Sequence, residues 1–408
     1  MAPVRTVRVG GATKATLPAI GLGMASHGEA LGERELQLLG ALGPRHLRQD
    51  VHLDAPGWGA DLSRAQVTAS QLGCALELAV LSEAPPDRRT DLAARLAEGP
   101  LVAHVLALAE GAGVTSADWL EAVRGAVGDS GRDALFAAGS NANFTELNRA
   151  WDEVQGVPAV AYALNPQVHA FDDRSLTESL PVQGLTVRTA RARAPGCGVV
   201  VSPVTLRPRF NPTAAGGDPP VPPGEVPPQV DGRQASLLAA GWTLGSLASL
   251  ATAGATSCTY FETTGWRGVL ELDAGCPLPE RFPSRPGMTF PVYHVLADAL
   301  EAGAADVLGT EVPGNEPPAV AALALRSGAR LLVLLANLGP DPEHVVVTGL
   351  ADGPVRGRAV DEHIAASALL DPLAFRAWSE PLEARSGELH VELQPYAYLR
   401  ADQRLPGR

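Results

Sequence analysis

The chain has 408 residues, of which 46% are hydrophobic and 19% charged, and 45 acidic against 32 basic side chains give a formal net charge of −13. That length exceeds one compact core and suits a barrel with a satellite domain. With no run of Lys or Arg able to neutralise successive phosphates, nucleic acid is excluded as a partner, and the surplus of carboxylates reads as a solubility feature.

The first nine residues, Met-Ala-Pro-Val-Arg-Thr-Val-Arg-Val, lack the apolar core of a signal peptide. No later stretch offers the ~18 consecutive apolar residues of a membrane span, so a cytoplasmic protein without a membrane partner is expected. The alternation of Val4, Thr6 and Arg8 against Arg5 and Val7 suggests an edge strand that pairs elsewhere.

Apolar runs of strand length then recur at 20–26, 46–53, 75–82, 101–109, 134–140, 159–164, 199–204 and 257–262. Segments of helical period lie between them, at 33–42, 62–72, 92–96, 117–127, 175–193 and 234–253, with Leu36, Leu39 and Leu42 as one example. Eight such units, with strands apolar on both faces, predict an α/β chain closed as a (β/α)8 TIM barrel over 12–305.

The segment 211–234 is rich in Pro and Gly, and six of the ten residues from 219 to 228 are proline. It reads as a stiff extended excursion, either a surface insertion or one wall of a pocket. After a last helix at 292–303 the period changes to two, with runs at 320–325, 330–335, 344–347 and 389–399. This predicts a small β-sandwich domain over 306–408, to which a strand from 1–11 can be added.

Cys74, Cys197, Cys258 and Cys276 are scattered without a C-x2-C pair and read as buried thiols. No H-E-x-x-H, H-x-H or Asp/His cluster suggests a metal, and no nucleophile elbow or phosphate-cradling loop is present, so no cofactor is expected.

Barrel chemistry gathers where strands end and βα loops begin. Glu146 follows the fifth strand and Glu262 ends the eighth, so two carboxylates can face each other across a bound molecule. Opening a lactone or a glycosidic bond requires that division of labour: one acid gives a proton while the other attacks or activates water. The expected partner is therefore a small-molecule sugar lactone or glycoside. An ion pair with Arg267 is the bland alternative for Glu262, and a capping role that for Glu146.

Asn141, Asn143, Asn148 and Asn165 offer amides to substrate hydroxyls or simply form turns. His27 and His169 are candidate acid–base groups or structural ones, whereas His104, inside a strand, reads as core. Arg48 and Asp50 alternate on the second strand and share a face, either as a paired floor or in direct contact with substrate. Arg207 and Arg209 can clamp a carboxylate, and Tyr260 and Trp266 flank Glu262, the latter able to stack on a ring.

Ala138-Gly139-Ser140-Asn141-Ala142-Asn143-Phe144-Thr145-Glu146-Leu147-Asn148-Arg149 and Tyr260-Phe261-Glu262-Thr263-Thr264-Gly265-Trp266-Arg267-Gly268-Val269 resemble segments of the D-apionate lactonase family, as do Pro279-Glu280-Arg281-Phe282-Pro283 and Phe290-Pro291-Val292-Tyr293-His294-Val295. The resemblance implies a glycoside-hydrolase-like barrel that opens the lactone of a branched sugar acid in apiose catabolism. Glu146 would then be the proton donor and Glu262 the nucleophile or base. The architecture also resembles clan A glycoside hydrolases, whose paired glutamates stand on the fourth and seventh strands. Here the count gives the fifth and eighth, and Thr145 occupies the place of that clan's asparagine.

Overall fold

A computed structural model describes residues 4–83, 90–210 and 220–406. Strand β1 (Arg5–Thr16) leads into eight parallel strands: β2 (Ala19–Gly23), β3 (His46–His52), β4 (Ala75–Ser82), β5 (Val102–Ala109), β6 (Leu135–Asn143), β7 (Ala159–Leu164), β8 (Gly198–Val204) and β9 (Ser257–Thr264). Each pairs with the next and β9 pairs with both β8 and β2, so the sheet closes as the expected (β/α)8 barrel. Burial explains the near-continuous apolar runs: β7 and β9 are buried along their whole length because helices cover the outside and side chains fill the inside.

The periodic segments form helices at Glu33–Leu42, Trp58–Leu72, Thr90–Leu96, Ala117–Val127, Leu237–Ala253 and Pro291–Glu301. The expected single helix at 175–193 is two, Asp173–Glu178 and Leu180–Arg193, because Pro181 has no N–H to continue the first and fits the opening turn of the second. Of the proline-rich excursion, 211–219 lies outside the described residues. The remainder to 231 is irregular, and Pro228 and Gln229 line a cavity. Among the described residues no helix is long and apolar enough to cross a membrane.

Beyond the short β10 (Gly268–Leu270) come β11 (Asp306–Glu311), β12 (Val320–Ser327), β13 (Arg330–Asn337), β14 (Glu343–Thr348), β15 (Gly353–Val360), β16 (Glu380–Ala384), β17 (Glu388–Leu393) and β18 (Tyr398–Arg404). They form one curled sheet in which β1 sits between β11 and β14. Strand alternation divides β13 between two cores. Leu331, Val333 and Leu335 face the sheet's own interior with Val7, Val345 and Leu399. Leu332, Leu334 and Ala336 join the barrel's outer core with Leu244 and Leu247 of the helix Leu237–Ala253.

The run expected at 389–399 is two strands, since Pro395 cannot donate to a ladder and Tyr396 turns the chain at φ 57°. Strand β15, Gly-Pro-Val-Arg-Gly-Arg-Ala-Val, carries too many turn formers and charges to show an apolar period.

Its charges have a purpose at the domain junction. Asp298, fully buried on the last barrel helix, accepts from Arg358 (2.5 Å), Arg376 (2.8 Å), Arg400 (2.8 Å) and the Tyr398 hydroxyl (2.8 Å). Burial alone raises a carboxyl pKa, but the three guanidiniums outweigh it and hold Asp298 below its ordinary value. The same helix carries His294, which burial pushes down to about 3. Both groups have native values below their unfolded ones. Their stabilisation is therefore complete above the unfolded values, about 6.5 for His and 3.9 for Asp, and is lost as pH falls.

Asp298→Ala leaves three arginines without their carboxylate and is expected to cost about 3–5 kcal/mol in urea denaturation. A change under about 1 kcal/mol would show that the arginines are held independently of Asp298. The thermal midpoint of the wild type is expected to decline from pH 6.5 downward, with a shallower decline in His294→Asn.

Candidate functional site

The C-terminal ends of β2, β3, β5, β6, β8 and β9 converge on a cavity of about 790 Å3. Among the described residues its ionisable lining is balanced, with Arg48, Arg64, Arg209 and Arg267 against Asp50, Asp61, Glu110 and Glu262. Arg48 and Asp50 point inward from alternate positions of β3, as the period of two requires. Asp50 bridges two guanidiniums, accepting from Arg48 Nε at 2.7 Å and from Arg209 Nη1 at 2.6 Å. Asn141 Oδ1 accepts from both arginines, and Arg48 Nη1 also donates to the Ser202 carbonyl (2.6 Å) and hydroxyl (2.9 Å).

Burial by itself raises Asp50, but Arg48 and Arg209 overcome it and hold the carboxyl far below its ordinary value. Burial pulls Arg209 down to about 10 against the attraction of Asp50, which leaves it cationic at neutral pH.

Glu262 reaches the cavity through a break in strand regularity. On β9, Thr259 points to the barrel interior, where it bonds His46 and Glu77, and Tyr260 points out to Ser246 of the helix Leu237–Ala253. Continued alternation sends Glu262 outward with Tyr260. Phe261 instead adopts φ 53°, and the register with β2 shifts between Gly21 and Gly23, so that Phe261 and Glu262 both line the cavity. Gly23 permits this, because a Cβ there meets the Phe261 carbonyl at 2.9 Å. The Glu262 carboxylate is then fixed by the Ser26 N–H and hydroxyl, each 2.9 Å from Oε2, and by Arg267 Nη2, 3.1 Å from Oε1.

Among the lining residues that escaped the reading of the sequence, His52 and Glu110 form a pair. His52 continues the inward set of Arg48 and Asp50, and Glu110 immediately follows β5; His52 Nδ1 lies 2.6 Å from Glu110 Oε1. Both were available to the same rules that selected Arg48 and Glu262: alternation for one, the strand-end position for the other.

Glu146 is not brought to Glu262. It lines a second cavity of about 970 Å3 between the ends of β6, β7 and β8 and the helix Leu180–Arg193, together with Asn143, Asn165, His169 and Arg207. The reason is the short helix Phe144–Arg149, which carries Glu146 sideways past the strand end. Asn165 donates to Asn143 at 2.9 Å, and Arg207 sits 4.9 Å from the Phe171 ring centre. Phe210 lines both cavities.

Four other expected contacts line neither cavity, among them Asn148, whose Oδ1 accepts from Arg193 at 2.7 Å. Tyr260 faces the helix layer, Trp266 packs edge-on against Phe282, and His27 bonds Thr264 (2.8 Å) and the Glu29 N–H (3.0 Å).

Beneath Arg48 lies a buried polar cluster. Glu77 Oε1 accepts from Thr259 (2.8 Å) and from Ser202, while Oε2 has no hydrogen-bond donor and stands 3.6 Å from His46 Nε2 and 3.5 Å from His104 Nδ1. These three residues come from three neighbouring strands, with more than twenty residues between each and the next, so no local spacing announced the cluster. The four cysteines are free.

Residues 20–304 match the family model described as D-apionate lactonase, TIM barrel domain, and 317–401 that described as D-apionate lactonase, C-terminal immunoglobulin-like domain. Similar solved structures include a family 51 α-L-arabinofuranosidase from Bifidobacterium longum, with TM-score 0.64 and 13% identity over 98% of this chain and 100% of that one. A bifunctional glucanase-xylanase from a metagenome library has TM-score 0.62 and 10% identity over 100% of both chains. A family 30 endoxylanase from Clostridium papyrosolvens has TM-score 0.59 and 10% identity over 98% and 100%. At such identities the likeness is one of fold. No curated protein matches the chain by sequence.

Gly23→Ala tests the bulge. It is expected to keep the far-ultraviolet circular dichroism and to lower stability by about 1–3 kcal/mol, as overpacking against a backbone carbonyl does. A variant as stable as the wild type would mean that the Phe261 turn does not depend on this close approach.

Proposed function

The chain belongs to the D-apionate lactonase family, and on that footing we propose that it hydrolyses a five-membered sugar lactone of the D-apionolactone type in the cavity holding Glu262. The observation that carries this reading is the placement of a donor-fixed carboxylate, a clamped arginine pair and a His–carboxylate dyad around one space. Hydrolysis turns a neutral lactone into an acid and an alcohol, so it needs a base for water, a site for the developing negative charge and a proton for the departing ring oxygen.

Glu262 suits the first task. Its Oε2 accepts two hydrogen bonds and Oε1 is ion-paired with Arg267, which leaves Oε1 a lone pair to take the proton of an attacking water. Arg48 and Arg209 suit the second. Asp50, Asn141 and Ser202 occupy most of the five donors of Arg48, whereas Asp50 and Asn141 occupy only part of those of Arg209, and the remaining N–H groups, chiefly those of Arg209, can meet the carbonyl oxygen as it gains charge and the carboxylate that results. His52 suits the third, with Glu110 fixing its Nδ1 so that the imidazole relays a proton to the ring oxygen as the C–O bond breaks. Water supplies the hydroxyl of the acid, and its proton returns to the alcohol through these groups, so the atoms balance without a further reactant.

On this reading Glu146 belongs to a cavity that accommodates more distant parts of a substrate. The likeness to glycosidase folds keeps cleavage of a short glycoside as the rival activity, and catabolism of apiose in the cytoplasm is the setting the lactone reading suggests.

The test is acid release in a pH-stat from a panel of five-membered sugar lactones, beside a panel of nitrophenyl glycosides. Lactone opening is expected to fall about 100-fold or more in Glu262→Gln and about 10- to 100-fold in His52→Gln, while Glu146→Gln stays within about threefold of wild type. Glycoside cleavage without lactone opening, or lactone opening that survives Glu262→Gln, would overturn the proposal.

A further inference from the structure

The second cavity, of about 970 Å3, gathers polar atoms that nothing in the protein satisfies. Among the described residues, Gln183 Oε1 and Nε2, Asn165 Oδ1 and Glu146 Oε2 are buried without a hydrogen-bond partner, and all three residues line this cavity. Gln183 is the sharpest case. It is 4% exposed and sits on the buried stripe of the helix Leu180–Arg193, with Leu180, Gly184, Val187 and Ala190. An apolar side chain would serve the core at that position, whereas an unpaired amide bears the full cost of leaving water. Buried polar groups are almost always satisfied, so several orphaned ones around one cavity call for an occupant.

From this we infer that the second cavity binds a neutral sugar ring, whose hydroxyls pair with Gln183, Asn165 and Glu146.

The balance of donors and acceptors selects hydroxyls. Three of the orphaned atoms accept, and Gln183 Nε2 donates. A hydroxyl does both, whereas an ammonium group only donates and leaves Nε2 unpaired. An anion would meet the Glu146 carboxylate. Of the two arginines lining the cavity, Arg149 is exposed to water, and Arg207 is engaged by Asp231 Oδ2 at 3.2 Å and by the Phe171 ring.

The walls suit the C–H faces of a ring. Phe144, Phe171 and Phe210 line the cavity, and Val168, Phe171 and Val182 are each about half exposed, an apolar surface that the protein leaves in water. A mostly apolar lining with a few polar groups is the usual make-up of a small-molecule site. Asn165 Nδ2 is held by Asn143 Oδ1 at 2.9 Å, which leaves Oδ1 as the atom on offer. The terminal torsion of a glutamine is broad, so the Gln183 amide can turn to meet a hydroxyl at little cost. This inference gives a chemical class to the more distant part of the substrate assigned to this cavity. Binding of a free ring there needs neither Glu262 nor His52, so it stands or falls apart from lactone opening.

The whole chain, titrated with methyl glycosides of neutral pentoses and hexoses and followed by ligand-observed nuclear magnetic resonance, is expected to bind at least one of them in the millimolar range or tighter. A crystal soaked with that glycoside is expected to show its ring against Gln183 and Asn165. Gln183→Leu is expected to weaken binding about tenfold or more, yet to keep the thermal midpoint of the free protein at or above that of the wild type, because an apolar side chain of similar size replaces an unsatisfied amide. Asn165→Ala, outside that helix, is expected to weaken binding about tenfold as well. A wild type that binds none of the glycosides, folded variants of undiminished affinity, a lowered midpoint in Gln183→Leu, or a ring found only in the Glu262 cavity overturns the assignment. None of these readouts depends on lactone hydrolysis, so failure here is distinct from failure of the proposed activity.

Discussion

Two guanidinium groups settle in one barrel mouth only if a carboxylate lies between them, and Asp50 is that carboxylate. Its two oxygens are divided between Arg48 and Arg209, which hold it ionised despite burial. The rest of the cavity is arranged from this bridge: Asn141 completes the far side, Ser202 ties Arg48 to β8, and Glu77 ties Ser202 to the interior below. Without Asp50 the arginines repel, and each alone bears the cost of a charge withdrawn from water.

Barrel closure makes such a bridge possible. Parallel strands bring the third position of β3, the fifth of β8 and the seventh of β6 to one level, although they are far apart in the chain. The appended sheet stabilises this frame from outside. Its outer face packs on the helix Leu237–Ala253, and its arginines converge on Asp298 at the end of the last barrel helix. The two places follow one electrostatic pattern, more than one guanidinium around a single carboxylate, at the barrel mouth and at the domain junction.

The barrel was legible because each strand is a separate apolar run set off by a helical period, and such local signals do not depend on contacts across the fold. The arginine–aspartate pair was legible for the same reason, since alternation alone puts Arg48 and Asp50 on one face. Glu262 was legible by its place at a strand end, but its inward direction rests on the left-handed turn at Phe261, which no periodicity announces. Glu146 occupies the same kind of position, and there a helix of six residues turns it into a neighbouring cavity. The His46, Glu77 and His104 cluster was invisible because its members meet only when three strands lie side by side. Strand β15 was hidden because its charges serve the domain junction, where a sequence reader looks for an apolar face.

The most direct measurement is a crystal structure with the sugar acid produced by lactone opening. The account predicts the product carboxylate against Arg48 and Arg209, its former carbonyl carbon within reach of a water on Glu262, and the released hydroxyl toward His52. Product bound instead beside Glu146 and Phe171, with the Glu262 cavity free of it, would contradict the account and move the chemistry to the second cavity.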